Sequence, residues 1–136
     1  MRHIIAIATV ALAGCGTLAN TEFDNIEASR YADIATMAAG ISQGCKDTAG
    51  VRAISFVLES QASAAARYSA VKNNNRRAAD AGEIVHQFTV DLNTRYKNGD
   101  PSEAYCKLKL GLIEQAADIV ARSISKKEQN APFAIP

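Results

Sequence analysis

Tryptophan is absent from this chain of 136 residues, and aromatic residues make up only 6% of it. A sandwich of sheets packed around large rings is thereby disfavoured, while the 48% apolar content, with Ala as the common small filler, suits close-packed helices. Histidine is scarce as well: after His3 the only one is His86. Acid–base or nucleophilic chemistry needs a converging polar set, and Ser55, Ser60, Ser63 and Ser69 have no His and carboxylate pairing in view. No glycine-rich phosphate loop occurs, since Ala39-Gly40 and Gly44 lack the required spacing. Glu83-Ile84-Val85-His86 matches the Glu-x-x-His spacing of di-iron bundles, yet such a site needs the motif twice and Glu from two further helices. Neither enzyme activity, nor a metal, nor a cofactor is expected. There is no excess of charge either. Of 15 basic residues one, Arg2, precedes Cys15, and all 14 acidic residues follow it, so the chain from Cys15 onward has 14 of each and is formally neutral. That balance offers no general attraction to nucleic acid.

What the chain does have begins at its start. Arg2, an apolar run from Ile4 to Leu12 and small residues after it read as a secretory signal, too short to span a bilayer. Leu12-Ala13-Gly14-Cys15 resembles the lipobox of bacterial lipoproteins. The resemblance implies cleavage after Gly14 and lipid on Cys15, and several acyl chains hold a protein on a membrane where one holds it only marginally. With Gly16 rather than Asp next, the same resemblance implies export, in a host with two membranes, to the periplasmic face of the outer membrane. The expected organisation is a signal peptide over 1–14, a lipidated tether over 15–22, a helical domain over 23–128 and a mobile tail over 129–136.

The helical domain follows from periodicity. Phe23, Ile26, Tyr31, Ile34, Met37 or Ala38, and Ile41 recur at helical spacing before Gly44. Asp47 or Thr48 can cap a second helix whose stripe is Val51, Ile54, Leu58, Ala62, Ala65 and Tyr68, broken by Asn73-Asn74-Asn75. A third starts near Arg76, carries Ala81, Val85, Phe88 and Leu92 on one face, and ends at Asn98-Gly99. Asp100-Pro101-Ser102-Glu103 places an acceptor at the cap, Pro in the first turn and Glu at the capping-box position of a fourth, with Cys106, Ile113, Ala117, Val120 and Ile124 on its apolar face. Short connections predict an all-α, up-down-up-down four-helix bundle. Cys45 and Cys106 are an even pair in an oxidising compartment and would lie at the same end, so a disulfide is expected; closing that loop contributes about 4 kcal/mol. The opposite end gathers Lys72, Arg76, Arg77, Lys126 and Lys127 near the lipid, where each can add at most about 1 kcal/mol of attraction to anionic headgroups.

The lipobox, a first helix closing with Ala38-Ala39-Gly40-Ile41 and then Cys45, and the start Pro101-Ser102-Glu103-Ala104-Tyr105-Cys106 together resemble the pilotins of type II secretion systems. The resemblance implies a disulfide-bridged bundle that binds an amphipathic helix at the C-terminal end of a secretin subunit and escorts it to the outer membrane. Binding of that kind seats an apolar helical face in a groove. Apolar positions off the main stripes, Phe56, Val90, Leu108 and Leu110, are the candidate partner contacts. Two other classes fit the same features: exclusion or immunity lipoproteins that block an incoming factor, and passive lipoproteins that organise an envelope complex. All three act on a protein partner, without nucleic acid or a small-molecule substrate.

Overall fold

The computed structural model describes residues 24–72 and 76–125. Cys15, Phe23, Lys126, Lys127 and the segments expected to be signal, tether and tail lie outside the described residues. Four helices follow in order: α1 (Asn25–Ser42), α2 (Thr48–Val71), α3 (Arg76–Lys97) and α4 (Glu103–Ser125). No strand occurs among the described residues. Each helix packs beside its sequence neighbours and α1 closes the ring against α4, while the diagonal backbones α1/α3 and α2/α4 stay apart. The chain is therefore an up-down-up-down bundle, as its short connections required.

Local chemistry sets the helix ends. Asp24 caps α1, its Oδ1 accepting from the Ile26 and Glu27 amides at 2.8 and 3.0 Å. Asp47 rather than Thr48 caps α2, accepting from the Gly50 amide at 3.0 Å. The fourth start differs from the expectation by two residues. Ser102 is the cap: its Oγ accepts from the Tyr105 amide at 3.2 Å and its carbonyl from the Cys106 amide at 3.0 Å. Asp100 is drawn away by Arg52, whose guanidinium pairs with its carboxylate and also donates to the carbonyls of Tyr96 at 2.8 Å and Gly99 at 3.3 Å. Pro101 is buried just outside the helix. Glu103 opens α4 and pairs with Lys107 at 2.7 Å, a contact that holds its carboxyl below the usual range.

The four seams of the bundle are unequal. α1 with α4 and α2 with α3 are the close-packed pairs, and α1/α2 and α3/α4 are looser. Side-chain size explains one tight seam: α2 brings Ser55, Ala62, Ala65, Ala66 and Ser69 to α3, which answers with Ala78, Gly82 and Thr89, all buried. Small side chains let the backbones approach. At Gly82 glycine leaves room for the phenol, because a Cβ would stand 1.9 Å from the Tyr31 hydroxyl and 2.9 Å from its ring carbon Cζ. Tyr31 thus crosses from α1 into a notch on α3, and its hydroxyl shares a 3.0 Å hydrogen bond with Ser69 of α2. Burial pushes its phenol up to about 12, against the smaller opposing pull of the Ser69 hydrogen bond.

Cys45 and Cys106 form the expected disulfide, with Cα atoms 5.8 Å apart and both residues buried. It ties the α1–α2 connection to the first turn of α4. Three expectations about the core need correction. Ile26 and Ile54 are exposed although they fall on apolar stripes; the buried place near the start of α1 goes to Glu27 instead. Leu110 is fully buried, so it belongs to the core and not to a partner surface. Leu110 stands four residues after Cys106 and three before Ile113, on the central stripe of α4 itself, so its burial completes the three- and four-residue spacing of that face.

Candidate functional site

Apolar surface gathers along the α3/α4 seam. Arg95 lies over the Tyr105 ring at 5.9 Å from its centroid, and Lys109 sits 3.4 Å from the Asp91 carboxylate and 5.9 Å from the Phe88 centroid. These contacts fix an antiparallel register. Carried away from the disulfide end, it places Phe88 across from Leu112 and Ile84 across from Ala116. Phe88 and Ala116 are partly buried against the core, whereas Ile84 is 54% exposed and Leu112 38%. Ile119 continues the strip, half-buried, and Leu108, 64% exposed, flanks it on the outer side of α4. These apolar side chains fall along one side of the bundle, while Ile54, Phe56 and Val57 are exposed on α2.

The strip ends in a polar depression of about 350 Å³ lined by Asp91, Thr94, Arg95, Asn98, Tyr105 and Lys109. Asp91 offsets the charge of Lys109. Arg95 has no carboxylate within ion-pair distance among the described residues; its partner is the ring of Tyr105. A guanidinium stacked on a ring still presents its N–H groups in the ring plane's direction, free to meet an anion. The seam is thus apolar along its middle and cationic at the disulfide end.

The residues singled out from sequence are dispersed. Leu108 flanks the seam; Phe56 is exposed on α2, Val90 is half-buried on α3, and Leu110 is in the core. Ile84, Leu112 and Arg95 were missed, although Ile84 with Phe88 and Leu108 with Leu112 are apolar pairs four residues apart beside the main stripes, the signal that would have found them. At the other end of the bundle the topology brings Lys72, Arg76 and Arg77 to the start of α1. Lys72 is not a freely exposed cation there. Its amine pairs with Asp24, whose carboxylate also accepts from the Tyr68 hydroxyl at 3.3 Å, and Arg30 stacks on the same ring at 4.9 Å. Arg76 and Arg77 remain on the surface.

His86 is half-buried, beside the apolar face rather than on it, and its Nδ1 lies 3.5 Å from Glu83. Glu83 also accepts from Gln87 at 2.7 Å, the main cause of its lowered pKa. Among the described residues no three His, Cys, Asp or Glu side chains converge as metal ligands, and no helix is long and apolar enough to cross a membrane. Set against known proteins, the chain matches no family model, no curated protein and no solved structure.

Proposed function

We propose that this protein is a lipid-anchored envelope protein that works by binding another protein, and that within this class it escorts a secretin subunit to the outer membrane. The observation that carries the reading is the tetrapeptide Leu12-Ala13-Gly14-Cys15 closing a short apolar run, because it supplies both an export route and a reason for a small neutral bundle to sit on a membrane. A buried disulfide suits an oxidising compartment. The apolar α3/α4 seam supplies a surface on which such a bundle can act without chemistry of its own.

Affinity capture of the protein from its native envelope, with partners identified by mass spectrometry and Cys15→Ala as control, tests the reading. A secretin should copurify with the wild type, and Cys15→Ala should leave the membrane fraction. Retention of Cys15→Ala in the membrane at the size of the cleaved chain contradicts the lipid anchor. Recovery of a receptor, injection component or toxin in place of a secretin moves the protein to the exclusion or immunity class.

A further inference from the structure

We propose that the α3/α4 seam receives an amphipathic helical segment whose apolar face is followed, within a turn, by an acidic side chain that pairs with Arg95. The inference rests on the protein-binding reading above and adds the place and the chemistry of the contact.

The seam itself selects the occupant. Its walls are helices whose backbone groups are already paired within α3 and α4, so it offers no ladder to an extended strand. A segment lying in it must satisfy its own backbone, and a helix does so. From the Arg95–Tyr105 pair to the level of Ala81 and Ile119 the seam spans 15 residues of each wall, roughly 20 Å at the helical rise, which accommodates about four turns. Along that length the partner meets Leu112, Ile84 and Ile119, a strip that takes apolar residues at three- and four-residue spacing.

Charge then sets which end goes where. At the disulfide end Arg95 and Lys109 face the depression with a single carboxylate, Asp91, already engaged by Lys109. The excess positive charge is that of Arg95, and Thr94 and Asn98 beside it add hydrogen-bonding groups. A partner carboxylate there completes the ion pair that the bundle leaves unmade. A basic residue in the same place meets the uncompensated charge of Arg95. The loose α1/α2 seam also exposes apolar side chains, Ile54 and Val57, and there Arg30 stacks on Tyr68 and Lys72 pairs with Asp24 in the same manner, so substitutions confined to the α3/α4 seam decide which of the two binds.

The test uses the full chain with its disulfide intact and two amidated peptides of about 14 residues, with leucines at three- and four-residue spacing. One ends in two glutamates and the other in two lysines. Fluorescence anisotropy should show the acidic peptide binding about tenfold more tightly at low salt, the preference vanishing in Arg95→Gln and both affinities falling about tenfold in Ile84→Glu. Equal affinities, no binding of either peptide, or a preference that survives Arg95→Gln overturns the proposal. If neither peptide binds until residues 126–136 are removed, the seam belongs to the chain's own end and the proposal is equally overturned. Because only purified components are used, failure here leaves the envelope capture experiment free to succeed, and failure of that capture leaves the peptide preference measurable.

Discussion

The two flanks of α3 are built on opposite rules. Toward α2 the helix presents Ala78, Gly82, Val85, Thr89 and Asn93, all buried; toward α4 it presents Ala81, Ile84, Phe88, Asp91 and Arg95, larger and partly wet. On the first flank small side chains allow close backbone approach, and the polar groups that remain are satisfied inside the protein: Asn93 accepts from Ser55 at 3.2 Å and donates to Glu59, and Thr89 donates to the His86 carbonyl at 2.7 Å. On the second flank bulk holds α4 further off and leaves apolar surface to solvent. One helix thus has a closed flank that supports the fold and an open flank available to a partner. Substitutions should separate the two.

The largest effect is expected at neither flank but at the link that holds α4 in the ring. Cys106→Ala, or reduction of the Cys45–Cys106 bridge, should lower the unfolding free energy by about 2 to 5 kcal/mol in a denaturant titration, a large fraction of what so small a domain has. On the closed flank Gly82→Ala comes next. Alanine gains up to about 1 kcal/mol of helix propensity over glycine, but a Cβ placed 1.9 Å from the hydroxyl of a fully buried tyrosine forces the ring aside, at a cost of about 1 to 3 kcal/mol. The net should be destabilising. In a Tyr31→Phe background the hydroxyl is gone but the ring carbon that carried it stays 2.9 Å from the added Cβ, so only part of the loss should disappear, and a double-mutant cycle measures that coupling.

Alkaline titration probes the same notch. The Tyr31 phenol is held at about 12 in the fold against 10.0 for the free group, so its contribution is complete below pH 10. As pH rises through that window the unfolded chain loses the proton first, and stability falls until the folded group titrates as well. Tyr96 is displaced in the same direction by burial, which steepens the loss. Tyr31→Phe should flatten the decline between pH 10 and 12. At Ser102, replacement by Ala removes the cap of α4 and should cost about 1 kcal/mol, whereas Asp100→Ala, which removes only an exposed pair with Arg52, should cost less. That ordering inverts what the sequence alone suggests. The smallest effect belongs to the open flank, where Ile84→Ser should change stability by no more than about 0.5 kcal/mol.

Much of this architecture can be read from periodicity. The four helices, the end of α2 at Val71 and start of α3 at Arg76, and the disulfide all follow from apolar spacing, turn residues and cysteine count, because each is a local or near-binary signal. The α4 start illustrates what is not local. Asp100 and Ser102 are both good caps, and the choice between them depends on Arg52, 48 residues earlier, reaching across to claim Asp100. The pairing of tight and loose seams is similarly hidden: a stripe tells which face is buried, not which neighbour lies on its left or right. Hence Ile84 and Leu112, on the flanks where α3 meets α4, cannot be sorted until the ring is closed, whereas Leu110, four residues after Cys106 and three before Ile113, is legible as core from spacing alone. The Tyr31 notch in Gly82 joins residues from diagonal helices and leaves no trace in either helix's own pattern.

The central claim is that the open flank binds a protein partner while the closed flank holds the fold. The most direct measurement is envelope capture with the wild type beside the pair Ile84→Glu and Leu112→Gln, together with the unfolding midpoint of both proteins. The account predicts that the paired variant keeps its stability to within about 1 kcal/mol and loses the partner recovered by the wild type. Undiminished recovery of that partner by a variant folded as stably as the wild type would contradict it.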